Sequence, residues 1–237
     1  MNARPIVLLC FAATAWGAGL DRDGVLAEAP ATPDPGTVRV SGGGNASWIS
    51  VASGGVNATL MWAMFTHFAA DIGAYWQDSE FGPSVRARYQ FLSQAAQGVD
   101  MTVGLRYKSR GFDPRNGELE ALVAAGHRFG RVDAIVDLVG GAELGGPGLD
   151  LELKALAAYR LTDQVRLGLD VRAQAEVRDE AGFKRPDLAA DVAIIGGAAL
   201  SWFPIPSLQL QGLVGATKPR GVLNAGPAAH FLVAFDF

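Results

Sequence analysis

Between Gln164 and Arg178 the chain alternates without a break. Val165, Leu167, Leu169, Val171, Ala173, Ala175 and Val177 hold every odd position, while Gln164, Arg166, Gly168, Asp170, Arg172, Gln174, Glu176 and Arg178 hold every even one. A helix would scatter those apolar side chains around its circumference, whereas a strand gathers them on one face. The same period sets Val99, Met101, Val103, Leu105 and Tyr107 against Asp100, Thr102, Gly104, Arg106 and Lys108. It also sets Val85, Ala87, Tyr89 and Phe91 against Ser84, Arg86, Arg88 and Gln90. Residues 149–159 follow it less strictly, because Leu156 and Ala158 share the polar face. The pattern predicts antiparallel sheet with one dry face and one wet face.

Turn signals divide the chain into twelve such segments: 47–53, 57–66, 70–77, 83–92, 99–110, 117–127, 131–141, 149–161, 164–178, 187–202, 206–217 and 226–237. That strand content far exceeds what an ordinary soluble domain carries. Several segments also reach the roughly 9–11 residues that cross a bilayer at a tilt. Closing the sheet into a transmembrane barrel accounts for both facts. The connections 67–69, 93–98, 128–130, 162–163 and 203–205 are short, and the alternating set 78–82, 111–116, 142–148, 179–186 and 218–225 is longer. Short turns on one side and longer loops on the other are the outer-membrane plan, with the short turns and both termini in the periplasm. The expected fold is therefore all-β, a single antiparallel transmembrane β-barrel of about 12 strands. Residues 56–77 also read as an amphipathic or buried helix, which would leave a barrel of 8–10 strands. A soluble periplasmic β-sandwich is the chief alternative fold.

The N-terminus reads separately. Arg4 precedes an apolar run from Ile6 to Leu20 that ends in Ala15-Trp16-Gly17-Ala18-Gly19. The run is shorter than the roughly 20 apolar residues of a membrane-spanning helix and has the layout of a cleaved secretory signal over residues 1–19. Cys10 lies inside it and is the chain's one cysteine, so the exported protein is expected to have no disulfide, thiolate or cysteine nucleophile. Residues 20–45, rich in Pro, Ala and Gly, read as a flexible, solvated leader. The barrel is expected over 46–237. A net charge of −4 with no basic block argues against nucleic acid as a partner.

Aromatic residues on the apolar face sit near the strand ends. Tyr89, Phe91, Tyr159 and Trp202, with Phe235 and Phe237, fall at the expected periplasmic ends, and Trp76 and Tyr107 at the extracellular ends. Rings at those depths form the girdles of a barrel. The last strand, His230-Phe231-Leu232-Val233-Ala234-Phe235-Asp236-Phe237, closes the chain on phenylalanine with apolar residues at every second position. It resembles the C-terminal assembly signal of Gram-negative outer-membrane β-barrel proteins, departing from it at Leu232, where many members carry glycine. The resemblance implies that Phe231, Val233, Phe235 and Phe237 are read by the barrel assembly machinery, and that outer-membrane lipid surrounds the protein. The hairpins flanking Gly126–Val132 and Ala158–Thr162 are similar to uncharacterised bacterial barrel proteins.

With the apolar face outward, the lumen receives Arg86, Arg88, Arg106, Lys108 and Arg110 on neighbouring strands, then Glu118, Glu120, Asp133 and Asp137 on the next pair. Asp150, Glu152, Lys154, Arg166, Asp170, Arg172 and Glu176 mix both signs beyond them. Two readings stand: ion pairs filling a narrow, closed lumen, or a transverse field across an aqueous pore. No catalytic constellation emerges. His67 and His127 lie at the expected periplasmic ends, and only His230 points inward. No metal-ligand spacing and no phosphate loop is present, so neither cofactor nor enzymatic activity is expected. The two functional expectations are a small pore or passive solute channel, and a closed structural or adhesive surface barrel.

Overall fold

The computed structural model describes residues 20–49, 52–77, 80–184, 186–187 and 191–237. The signal layout of residues 1–19 therefore lies outside the described residues. The chain winds as consecutive antiparallel neighbours: β1 (Val38–Trp48), β2 (Ala52–Phe65), β3 (Phe68–Gln77), β4 (Glu80–Leu92), β5 (Asp100–Arg110), β6 (Asp113–Phe129), β7 (Val132–Glu143), β8 (Leu149–Arg160) and β9 (Val165–Asp179). β10 (Gly182–Phe183) is a two-residue strand that folds back on β9, and β11 (Val192–Ile205), β12 (Leu208–Lys218) and β13 (Gly226–Asp236) follow. β13 pairs with β1, with Ser41 opposite Ala234, and so closes the ring. Among the described residues the barrel has twelve wall strands, with β10 as an extra at the rim. A single-turn helix, α1 (Gln94–Gln97), spans the β4–β5 connection.

The segment that also reads as a helix is a hairpin. β2 and β3 pair directly, with Leu60 opposite Ile72 and Trp62 opposite Ala70, so the helical alternative for 56–77 does not hold. The first strand is displaced from expectation. It runs over Val38–Trp48 rather than 47–53, because Gly42, Gly43 and Gly44 leave it without the apolar alternation that marks the others.

Burial is inverted relative to a soluble protein. Ile72, Leu105, Leu169 and Val214 are among many large apolar residues exposed on the outer face, while Arg88, Asp133, Asp137 and Asp170 are buried inside. Soluble domains almost never bury such groups and seldom expose so continuous an apolar face. A barrel surrounded by hydrocarbon does both. The sandwich alternative fails on the same observation, since no two apolar faces meet.

Residues 20–37 depart furthest from the expected leader. Most of them are withdrawn from solvent: Leu20, Arg22, Leu26, Ala27, Glu28, Ala29 and Ala31 are buried, and Asp34, Pro35 and Gly36 alone are exposed. The segment enters at the end where the barrel's own termini lie, the start of β1 and the end of β13, tied by Gly36 N–H to Ala63 O at 2.8 Å and by Ala63 N–H to Thr37 O at 2.9 Å. It turns back inside the barrel, with Gly24 N–H donating to Ala27 O at 2.8 Å and Ala31 N–H to Leu20 O at 3.2 Å. Its apolar side chains meet some of the inward positions that are not charged. Leu20, Ala27 and Ala31 pack with Ile135 and Leu156, and Val25 and Leu26 pack with Ile195, Leu213 and Ala228. Leu156, which breaks the alternation of β8, therefore has a physical reason to face inward. The expected domain boundary at 46 moves accordingly: the wall begins at Val38, and its interior filling lies N-terminal to it.

Candidate functional site in the lumen

Strand parity aims the charged rows inward, and register then decides their partners. On β3 and β4, Asp71 stands opposite Arg86, whose Nε donates to Asp71 Oδ2 at 2.7 Å. Arg88 lies deeper, with Nη2 2.8 Å from Met61 Sδ and Nη1 3.6 Å from Asp23 Oδ1. On β5 and β6, Arg106 stands opposite Glu120 and Lys108 opposite Glu118. Glu120 accepts from both Arg106 Nε and Lys108 Nζ, one carboxylate oxygen each. The basic row of β4 and β5 and the acidic row of β6 are thus stitched together across the β5–β6 seam rather than held apart. Glu118 lines the open part of the lumen beside them.

Further round the wall, Lys154 Nζ lies 3.0 Å from Glu152 Oε1, and Arg172 Nε lies 3.7 Å from Glu152 Oε2. Near the end where the termini lie, Asp133 is approached by Arg128 at 2.6 Å, Arg166 at 3.2 Å and Arg160 at 4.0 Å. At the opposite rim, Arg220 lies 2.7 Å from Asp150 and 3.5 Å from Glu176, and Glu176 also meets Lys184 at 2.8 Å. Asp137 and Asp170 make no such pairs among the described residues. Their Oδ2 atoms accept backbone N–H groups of the N-terminal segment, from Glu28 at 2.5 Å and Leu26 at 2.8 Å respectively.

Glu28 is the residue on which the interior converges. Its Oε1 lies 3.0 Å from Lys154 Nζ and 3.3 Å from Arg106 Nη1, and its Oε2 accepts from Arg86 Nη1. Further bonds hold the segment along its length. Thr102 Oγ1 donates to Pro30 O at 2.6 Å, Thr32 N–H donates to Gln90 Oε1 at 2.9 Å, and Gln209 Nε2 donates to Asp23 O at 3.0 Å. At the terminal mouth, Arg22 and Arg39 each lie 2.7 Å from Asp236. Sequence reasoning placed Arg86, Arg106 and Lys154 in the lumen but missed the residues of the N-terminal segment that meet them, and Asp71, Arg39 and Asp236 on the wall.

Above the segment lies a cavity of about 460 Å³. Its floor is Asp23–Glu28 and its walls carry Arg86, Arg106, Lys108, Glu118, Glu152, Lys154, Arg172 and His230. It reaches Gln77, Glu80 and Arg110 at the mouth opposite the termini.

On the outer face, Tyr89, Phe91, Tyr159 and Trp202 are exposed near the terminal end, and Trp76 near the opposite end. Tyr107 lies on the outer face of β5 in the same row as the exposed Val103 and Leu105. Phe65, Phe129, Trp48 and Phe112 are further exposed rings near strand ends that the sequence pattern did not single out. Phe231, Val233 and Phe237 are exposed on β13 or just beyond it, and Phe235 packs edge-on to Phe237 with ring centroids 4.8 Å apart. Among the described residues no helix is long and apolar enough to cross a membrane. No group of three or more His, Cys, Asp or Glu there could hold a metal ion.

No protein-family model matches the chain, and no curated protein matches it. Solved structures do. A KdgM porin superposes with a TM-score of 0.60 at 11% identity, covering 84% of this chain and 99% of its own. A NanC porin gives 0.62 at 9% identity, covering 84% and 100%. An outer-membrane channel from Pseudomonas putida F1 gives 0.57 at 10% identity, covering 86% and 96%. At such identities the likeness concerns the fold, and the fold is that of an outer-membrane β-barrel.

Proposed function

We propose that this protein is a passive outer-membrane channel for small polar solutes, and that residues 20–37 occupy half of its lumen in the state described here. The observation that carries the reading is the charged cavity, open toward the mouth opposite the termini and floored by a segment that belongs to no strand. A barrel meant only as a scaffold has no need of a polar, water-accessible interior of this size. A pore needs one. The neighbours in fold are described as porins and channels, which supports the same reading at a coarse level. A KdgM porin among them was solved in complex with oligogalacturonate.

In this reading the mouth carrying the termini faces the periplasm, where the short turns lie. The N-terminal signal is removed on export, and the barrel assembly machinery reads Phe231, Val233, Phe235 and Phe237. The rings near the two strand ends sit at the two lipid interfaces. The charged rows tune which ions enter rather than catalyse a reaction.

A closed structural barrel is favoured by one observation, the packing of Leu20, Ala27 and Ala31 against Ile135. Planar-bilayer recording separates the two. The exported chain should give brief conductance steps, and a chain lacking residues 20–33 should give sustained ones. Silence from both would leave the structural reading.

A further inference from the structure

We infer that Arg86, Arg106 and Lys154 form a carboxylate-binding site of the lumen, which Glu28 fills as an internal ligand and which a soluble carboxylate can take over, releasing the N-terminal segment. The inference deepens the channel reading and rests on it.

Three features of the cluster lead there. The cations come from separate parts of the wall, β4, β5 and β8, yet their charged ends meet at one carboxylate. Both oxygens of that carboxylate are used, Oε2 by Arg86 and Oε1 by Arg106 and Lys154. A group with two acceptor oxygens reproduces this, whereas a spherical anion such as chloride does not.

Each cation also keeps a carboxylate of the wall. Arg86 has Asp71 at 2.7 Å, Arg106 has Glu120, and Lys154 has Glu152 at 3.0 Å. Replacing the Glu28 carboxylate therefore leaves none of the three cations without a counter-charge, and stranding one is the usual obstacle to breaking an interior ion pair. Asp137 and Asp170, which accept backbone N–H groups of the segment, exchange those donors for water when it leaves.

The site is also within reach. Glu28, Arg86, Arg106 and Lys154 all line the cavity of about 460 Å³. A solute entering from the open mouth therefore reaches the cluster without first displacing the segment. With Glu28 in place a second carboxylate is repelled, so the two compete. The segment itself is held by side-chain and backbone bonds to the wall at a handful of points, and it contributes no strand to the sheet whose loss would open the barrel.

The test uses the full exported chain, refolded in detergent and shown to be a heat-modifiable barrel. Glutarate is the probe, since each end of it reproduces the Glu28 side chain, and chloride at equal ionic strength is the control. Titration calorimetry should show Glu28→Ala binding glutarate at least about ten-fold more tightly than wild type, because the internal competitor no longer withholds the site. Adding Arg106→Gln and Lys154→Gln to that variant should abolish the gain. In planar bilayers, glutarate but not chloride should lengthen the open time of wild type, and Glu28→Ala should be open without it. If Glu28→Ala yields no heat-modifiable barrel, Glu28→Gln, which keeps the bulk and removes the charge, is measured in the same way. Equal glutarate affinity in wild type and variant would overturn the site, as would a gain that survives loss of Arg106 and Lys154. Conductance that responds to neither glutarate nor Glu28→Ala overturns the release step and leaves the channel reading intact. Tighter glutarate binding in a barrel that never conducts supports the site and removes the channel reading instead.

Discussion

Asp133→Asn is the sharpest probe of whether the terminal half of the lumen is dry. The substitution keeps the shape and removes one charge. Asp133 is 1% exposed, and three guanidinium groups approach it: Arg128 at 2.6 Å, Arg166 at 3.2 Å and Arg160 at 4.0 Å. At an effective dielectric constant near 20, a single pair about 4 Å apart attracts by roughly 4 kcal/mol before desolvation is counted. Removing one partner of a buried pair costs about 3–5 kcal/mol. Arg166 is 9% exposed at its side chain, but Arg128 and Arg160 are 19% and 18% exposed, so water at the mouth relieves part of the loss. The expected destabilisation is therefore near the lower end, about 3 kcal/mol. That corresponds to roughly a hundred-fold shift in the folding equilibrium. Reversible urea unfolding in lipid vesicles, followed by tryptophan fluorescence, reads it directly. An unchanged midpoint would mean that the three arginines are hydrated, and the segment 20–37 would then not seal that half of the lumen.

Other substitutions test other parts of the structure. Arg106→Ala should cost only about 1–2 kcal/mol in the same assay, because Glu120 keeps Lys108 and Glu28 keeps Arg86 and Lys154, so no carboxylate is left as a stranded buried charge. Val171→Arg puts a charge at mid-depth on the outer face, where the cost in a bilayer is about 2–4 kcal/mol; a variant as stable as wild type would remove the lipid-facing assignment of β9. Deleting Phe237 should lower the amount of folded protein in the outer membrane of cells while leaving refolding into detergent unchanged. Equal losses in both would mean that the residue matters for packing and not for assembly.

Much of the wall was legible because one physical rule governs it. Wherever a strand separates lipid from a polar interior, side chains must alternate, and β4, β5 and β9 do so over nearly their whole length. Parity alone then aimed Arg86, Arg88, Arg106, Lys108 and Glu120 inward. Register, which parity does not supply, then set Glu120 directly opposite Arg106; Asp100, which also faces inward on β5, instead accepts from Gln90 and from the backbone of Gln94. What failed to show had no local cause. β1 carries glycine at three successive positions, so no periodicity marked it, and its place was fixed by pairing with β2 and β13. The fate of residues 20–37 was less visible still. Their Pro/Ala composition resembles a solvated linker, and the wall contacts that bury most of them come from far along the chain. Glu28 meets Asp137 and Lys154 more than a hundred residues away. A segment whose burial depends on a cavity built by other strands leaves no trace in its own sequence.

The stitched seam between β5 and β6 has a consequence for how the barrel finds its pairing. Sheets whose faces look alike tolerate slippage, since neighbouring alignments differ little in energy. Here a slip of one position would turn Arg106, Lys108 or Glu120 out into hydrocarbon, at about 2–4 kcal/mol for each basic group near mid-depth. A slip of two would keep the faces and still set opposite charges against each other, Arg106 against Glu118 in one direction or Lys108 against Glu120 in the other. The interior charges thus oppose odd errors of pairing through the cost of placing them in hydrocarbon, and leave even ones to the rest of the seam.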